Sequence, residues 1–165
     1  MNKVVEIKEA VKIAQKLRRQ NKTIVIVGGF FDILHPGHIK FLENAKKYGD
    51  CLFVLLENDA KARTTKGINR PINSQKNRAT VLSSLQVVDY IVLLKSMTNN
   101  AQYDKLISQI APSVIATTYG DPYINHKKRQ AKLVNGKVVC VTKRISAYSA
   151  TKFIDLMNKG LKKKL

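Results

Sequence analysis

Two hydrophobic periods alternate along this chain. From Val5 to Arg19 the apolar residues Val5, Ala10, Val11, Ala14 and Leu17 recur at helical spacing with lysines between them, which predicts an amphipathic helix lying on a sheet. Gln20-Asn21-Lys22 is a polar connection. Thr23 to Val27 is a short β-branched run without polar interruption, the pattern of a parallel strand covered on both faces. Gly28 and Gly29 end it. Apolar positions at Ile39, Phe41, Leu42 and Ala45 predict a helix from His38 to Tyr48, stopped by Gly49, and Cys51 to Glu57 is a second strand. Strand, helix and strand at this spacing form a βαβ unit.

The alternation continues. After Asn58-Asp59 the chain reads as a basic loop through Lys61, Arg63, Lys66, Gly67, Arg70 and Pro71. Ser74 is placed as the N-cap of a helix from Gln75 to about Leu85, with Asn77 where a capping-box glutamate would stand. Val87 to Leu94 is a third strand, Asn100 to Ile110 a helix ended before Pro112, and Val114 to Ala116 a short fourth strand. Asn125 to Leu133 is a basic helix or loop, Asn135-Gly136 a tight turn, Lys137 to Thr142 the last strand, and a closing helix runs to about Asn158. The pattern predicts an α/β fold, a Rossmann-like open sheet, mainly parallel, with helices on both faces. At 165 residues and 44% hydrophobic content it makes one domain, 1–165, in which 1–22 are an N-terminal helix and turn and 159–165 a basic tail.

Composition narrows the class. The longest apolar runs are too short to span a bilayer, and the N-terminus lacks the apolar stretch of a secretory signal, so a cytoplasmic protein is expected with no membrane partner. Cys51 and Cys140 sit far apart inside strand-like runs without metal-ligand spacing, which reads as core packing and no protein-bound metal. A net charge of +19 raises the potential around any phosphate-bearing ligand. It also raises nucleic acid as a partner. Against that, the cations are spread out, the only dense runs are His126 to Arg129 and Lys162 to Lys164, and aromatic residues do not interleave with them.

Candidate chemistry gathers after the first strand. Gly28 and Gly29 give a bound group access to the backbone, and the helix that follows offers free N–H groups and a positive dipole end to phosphate. His35-Pro36-Gly37-His38 falls at that helix start, where two imidazoles would face the phosphate. A second cluster follows the last strand, with Arg144, Ser149, Thr151 and Lys152 before a helix: hydroxyls and N–H groups cradle phosphate oxygens there while arginine neutralises charge.

Gly29-Phe30-Phe31-Asp32-Ile33-Leu34-His35-Pro36-Gly37-His38 resembles the H-x-G-H signature of the cytidylyltransferase-like nucleotidyltransferases. Within them the chain most resembles the adenylyltransferase domain of the bifunctional ADP-heptose synthases, and next the glycerol-3-phosphate cytidylyltransferases. Residues 144–152 are similar to the R-x-x-x-x-S-T-T-K motif, Lys66 to Pro71 to a K-G-x-x-R-P stretch, and Arg78 to the arginine of x-x-R-x-x-x-L. The sequence departs from the pattern at Thr117-Thr118-Tyr119, where the heptose enzymes read K-G-G before the aspartate matched by Asp121, and at Ala150, where a threonine is lost.

The resemblance implies a nucleoside monophosphate transferred from a triphosphate, ATP before CTP, to a phosphorylated sugar such as heptose 1-phosphate, with release of pyrophosphate. It assigns catalysis to His35, His38, Lys46 and Arg144, and nucleotide binding to Gly28, Gly29, Phe30, Phe31, Asp32, Gly37, Arg78, Gly120, Asp121, Ser149 and Thr151. Acceptor contacts fall to Asp59, Lys66 and Arg70. Mg2+ is expected to arrive on the triphosphate, and a homodimer is expected. Two other readings stand beside this one: a cytidylyltransferase using CTP and glycerol 3-phosphate, and a non-catalytic basic protein binding nucleotide or nucleic acid.

Overall fold

The computed structural model describes residues 2–143, and the two periods separate in it as the pattern requires. Strands β1 (Val4–Glu6), β2 (Ile24–Gly29), β3 (Cys51–Leu56), β4 (Tyr90–Leu93), β5 (Val114–Thr118) and β6 (Lys137–Thr142) alternate with helices. These are α1 (Ile7–Arg19), α2 (Pro36–Lys46), α3 (Asp59–Lys66), α4 (Gln75–Ser83), α5 (Asn100–Ile110) and α6 (Ile124–Leu133). The strands form one sheet in the order β1-β4-β3-β2-β5-β6, and every neighbouring pair is parallel. Among the described residues the sheet is therefore wholly parallel, a Rossmann-like open sheet.

Alternate residues of the central strands feed two cores. On one face Ile24, Ile26, Phe53 and Leu55 pack against Ala10 and Ala14 of α1, Leu106, Ile107 and Ile110 of α5, and Ala131 of α6. On the other, Val25, Val27, Leu52, Val54 and Leu56 meet Phe41, Leu42 and Ala45 of α2 and Ala79 and Leu82 of α4. Every residue of β3 is buried, which is why that strand is an unbroken apolar run in the sequence.

Strand order positions the site. From β2 the chain steps to β3 and β4 in one direction, and α5 then carries it back to β5 on the other flank of β2. The connections leaving the carboxyl ends of β2 and β5 therefore diverge, and the crevice between them is where open α/β sheets hold ligands.

Two elements differ from the sequence pattern. Val4–Glu6 pairs with β4, Val5 opposite Val92, so α1 starts at Ile7 and not at Val5. Val5 satisfies both periods, and pairing with a strand remote in sequence decides between them. Residues 59–66, read as a basic loop, form α3: Asn58 caps it by accepting from the Lys61 N–H at 2.7 Å, and Ala62 is its only buried residue. One apolar anchor in eight residues leaves no periodicity to detect. Ser74 caps α4 as expected, accepting from the Asn77 N–H. Among the described residues no helix is long and apolar enough to cross a membrane. Cys51 is a buried free thiol whose pKa burial pushes up to about 12, the inert core residue its surroundings suggest.

Candidate active site

The two glycines ending β2 serve different neighbours. A Cβ on Gly28 would meet nothing within 4 Å, whereas one on Gly29 would lie 2.9 Å from the Phe31 ring. At Gly29 the missing side chain also makes room for Phe31. Phe31 itself takes φ 47°, in the left-handed region, and is buried, so the chain turns sharply here and carries Asp32 into the interior.

Helix α2 follows at once. His35 occupies its N-cap without a side-chain hydrogen bond; Pro36 has no N–H, and the N–H groups of His38 and Ile39 donate to the His35 carbonyl at 2.8 and 3.3 Å, which leaves the Gly37 N–H at the amino end of the helix to offer to an anion. The His35 and His38 imidazoles stack, with ring centroids 3.8 Å apart and planes 22° from parallel, and Phe31 packs on His38 at 5.2 Å. Both Nδ1 atoms are buried and have no hydrogen-bond partner among the described residues. Burial lowers the His35 pKa. For His38, burial and then the charge of His35 drive the pKa down to about 4, with the Ile33 backbone working the other way. At neutral pH the pair is uncharged, which is what lets two imidazoles stack so closely. Each neutral ring offers one donor and one acceptor, so the pair holds hydrogen-bonding capacity that the protein does not use.

Behind the histidines a buried ionic clamp fixes the loops. Asp32 receives Arg70 through Nε at 2.8 Å and a second guanidinium nitrogen at 2.7 Å, together with the N–H groups of Ile72 at 3.0 Å and Asn73 at 2.9 Å. Arg78 is 1% exposed. It donates to the carbonyls of Asn73 and Glu57, each at 2.9 Å, and of Phe30, and pairs with Asp59 at 2.7 Å. Its position in the first turn of α4, unfavourable against the helix dipole, is thus offset by three carbonyls and a carboxylate. The donors that the resemblance assigned to phosphate are taken by the protein: Arg78 ties the ends of β2 and β3 to the 67–73 loop. Arg70 and Asp59, assigned to the acceptor, are likewise paired inside this clamp. Lys66 remains exposed, with Nζ 5.8 Å from the centre of the Phe30 ring at the mouth of the site.

The end of β5 supplies the facing wall. Gly120 turns the chain at φ 73°, with open space where a Cβ would lie. Asp121 accepts from the Thr117 hydroxyl, from Lys127 Nζ at 2.6 Å and from the Tyr123 N–H at 2.8 Å; Lys127 also reaches Thr117 Oγ1 at 2.7 Å. Burial pushes the Asp121 carboxyl up, but the bonds from Lys127, Thr117 and Tyr123 outweigh it and hold the pKa below the ordinary value. Tyr119 and Tyr123 stand exposed beside it.

The structure therefore brings Gly28, Phe30, Phe31, Asp32, His35, Gly37 and His38 together at the end of β2, with Gly120 and Asp121 in the turn that follows the neighbouring strand β5. It does not bring Lys46 to them. Lys46 ends α2 at the opposite edge of the sheet, where Nζ pairs with Asp89 at 2.6 Å and donates to the Asp50 carbonyl at 2.5 Å. Arg144, Ser149 and Thr151 lie outside the described residues. Sequence reasoning missed Lys127 as a partner of Asp121, because it sits within a basic run that reads as solvated surface. It also missed Glu57 and Tyr103, 46 residues apart and hydrogen-bonded at 3.0 Å.

Comparison with known proteins places this geometry. Residues 26–157 match the cytidylyltransferase-like family. The bifunctional protein HldE of Wolinella succinogenes is 49% identical over 104 residues, 63% of this chain and 21% of that protein. HldE of Sodalis glossinidius is 34% identical over 156 residues, 93% of this chain and 31% of that protein. The chain thus spans less than a third of the length of these relatives. Among solved structures, the lipopolysaccharide core biosynthesis protein of Thermoplasma volcanium superposes with a TM-score of 0.60 at 29% identity, covering 74% of this chain and 97% of that one. Pantoate-beta-alanine ligase of Francisella tularensis gives 0.63 at 19% identity over 94% of this chain and 76% of its own, a likeness of fold. With the H-x-G-H stretch at the end of β2 and the family matched across both flanks of the crevice, the chain belongs to the cytidylyltransferase-like family.

Proposed function

We propose that this chain is an adenylyltransferase that joins the AMP portion of ATP to a sugar phosphate such as heptose 1-phosphate and releases pyrophosphate. The observation that carries the reading is the stacked, uncharged His35–His38 pair at the amino end of α2, with unused nitrogen atoms, following the strand on which Gly28 leaves open space. The resemblance to the adenylyltransferase domain of the ADP-heptose synthases, with HldE proteins among the relatives, favours adenylyl transfer and a heptose phosphate. An oxygen of the acceptor phosphate attacks the α-phosphorus; the new P–O bond forms as the bond to the β-phosphate bridging oxygen breaks, and the electron pair leaves with pyrophosphate. A phosphate monoester is already a competent nucleophile, so positioning and charge stabilisation supply the catalysis.

His35 and His38 donate hydrogen bonds to oxygens on which negative charge grows, the Gly37 N–H and the positive dipole end of α2 hold a phosphate, and Gly28 lets it approach the backbone. The Asp32–Arg70 and Arg78 clamps keep these donors in place before substrate arrives. Mg2+ enters as part of the triphosphate. In this reading the ion is carried by phosphate oxygens, and Asp32 is engaged by Arg70. Arg144, Ser149 and Thr151 complete the phosphate contacts in this reading, and the active form is a homodimer.

Pyrophosphate release tests it, with ATP or CTP scanned against heptose 1-phosphate, other sugar phosphates and glycerol 3-phosphate. Release with ATP that requires a sugar phosphate is expected, and His38→Ala should lower the rate by about a hundredfold, the usual effect of losing one preorganised donor. Release only with CTP and glycerol 3-phosphate would replace the reading, and wild-type turnover by a folded His38→Ala variant would overturn the mechanism.

A further inference from the structure

Glu57 follows β3 at the carboxyl edge of the sheet and is held through its backbone and through one of its two carboxylate oxygens. Its N–H donates to the Gly29 carbonyl at 3.1 Å, its own carbonyl accepts from Arg78 at 2.9 Å, and Oε1 accepts from the Tyr103 hydroxyl at 3.0 Å. Oε2 is buried and has no partner among the described residues. Such an atom loses its water and gains nothing in return, a cost of roughly 1–3 kcal/mol or more for a charged group, so its persistence asks for an explanation. Burial raises the Glu57 pKa, with Tyr103, Lys61 and Arg78 opposing it, which records the same strain.

Its place in the sheet supplies the explanation. Gly28 lies opposite Leu55 in the β2–β3 register, and Glu57 is two residues beyond Leu55, so strand alternation puts Glu57 on the same face, one pleat further toward the carboxyl edge. That is the face on which the missing side chain of Gly28 leaves open space. The backbone offset is about 8 Å, two residues along the strand and one strand across. The histidine pair lies at the start of α2, which packs on the opposite face. A ligand crossing the end of β2 from the histidines would therefore meet Glu57 with its far portion. An anion would be repelled there; a hydroxyl would satisfy Oε2.

We propose that Glu57, aimed by Tyr103, is a specificity-determining residue that accepts a hydrogen bond from a sugar hydroxyl of the acceptor, which selects polyhydroxylated phosphate esters over simple alkyl phosphates. This rests on the sugar-phosphate reading given above. Tyr103 is a positioning residue: it holds Oε1 and leaves Oε2 for the ligand.

Calorimetric titration of the full chain tests this without requiring turnover. The probes are α,β-methylene ATP, then heptose 1-phosphate, and a hexose 1-phosphate series lacking one hydroxyl at a time, against wild type, Glu57→Gln and Tyr103→Phe. Glu57→Gln keeps an acceptor for Tyr103 and replaces Oε2 with a donor. It is expected to weaken heptose 1-phosphate about ten- to hundredfold while leaving the ATP analogue within twofold. One deoxy sugar should lose a similar factor on wild type and none on Glu57→Gln, and Tyr103→Phe should show a smaller loss confined to the sugar phosphate. Unchanged sugar-phosphate affinity would make Glu57 a structural carboxylate, and a loss confined to the ATP analogue would give it to the ribose; either overturns the proposal. Should Glu57→Gln fail to fold, Glu57→Asp, which withdraws the oxygen by one methylene, carries the same expectation. A wild type that binds the ATP analogue but no sugar phosphate would instead overturn the sugar-phosphate reading, and this proposal with it.

Discussion

The stacked histidines tie stability to pH in a way that can be isolated. His38 is held neutral, with its pKa lowered from 6.5 to about 4 by burial and by His35. In the unfolded chain the same imidazole takes a proton near pH 6.5, whereas the folded chain refuses it until near pH 4. Between these values the unfolded state binds more protons, so stability falls as pH falls. Above pH 6.5 both states are neutral and the effect vanishes. A displacement of 2.5 units, 6.5 less 4, at 1.36 kcal/mol per unit, amounts to about 3 kcal/mol. The perturbation is His38→Gln, which keeps a hydrogen-bonding side chain but cannot titrate. Urea unfolding at pH 7.5, 6.5, 5.5 and 4.5 gives the stability of each protein, and subtraction cancels the carboxylates common to both. The wild-type value less that of the variant should change by less than about 0.5 kcal/mol from pH 7.5 to 6.5 and fall by about 2 kcal/mol more by pH 4.5, the full amount of about 3 kcal/mol being lost only below pH 4. A difference that stays level throughout would show that His38 is not held neutral by its surroundings, and the unused nitrogen atoms could not be read as capacity reserved for phosphate.

Other substitutions separate ligand from scaffold. Gly28→Ala should leave stability within about 0.5 kcal/mol of wild type, since nothing stands where the methyl would go, while weakening triphosphate binding by calorimetry; unchanged affinity would refute the assignment of that space to ligand. Gly29→Ala should show the reverse, a loss of about 1–3 kcal/mol in urea unfolding as the Phe31 ring is displaced. Arg78→Met strands Asp59 and the carbonyls of Phe30, Glu57 and Asn73, and should cost about 3–5 kcal/mol by the same assay. Lys46→Met should cost less than about 1 kcal/mol, because its pair with Asp89 is partly exposed, and should leave kcat unchanged; a hundredfold fall in kcat would restore the phosphate role that the resemblance implies.

What the sequence made legible divides by the range of the interaction. The central strands were readable because burial on both faces leaves no polar residue in Ile24 to Val27 or Cys51 to Leu56. The histidine pair was readable because it lies four residues from turn to helix, within one local motif. Strand β1 was not, since three residues satisfy either period until β4 pairs with them, and α3 was not, since its only anchor is Ala62. The clamp was half visible: Arg78 stood out as a charge on the wrong side of a helix dipole, but whether it faces phosphate or the interior depends on carbonyls 5, 21 and 48 residues away.

That last distinction changes how the net charge of +19 bears on the site. Lys66 stays exposed at the mouth of the crevice, whereas Arg70, Arg78 and Lys127 lie around it, each already paired with a carboxylate, Asp32, Asp59 or Asp121. Their charge is spent in holding loops. Attraction of a triphosphate toward the crevice can draw on the surface excess at long range, and that part should weaken with salt. Contact at the end of β2, among the described residues, falls instead to uncharged imidazoles and backbone N–H groups, which salt screens far less. Rising ionic strength should therefore slow triphosphate association, and the part of the salt dependence that appears in dissociation reports direct cation contact, which the proposed function gives to Arg144; stopped-flow association unchanged by salt would refute the long-range attraction.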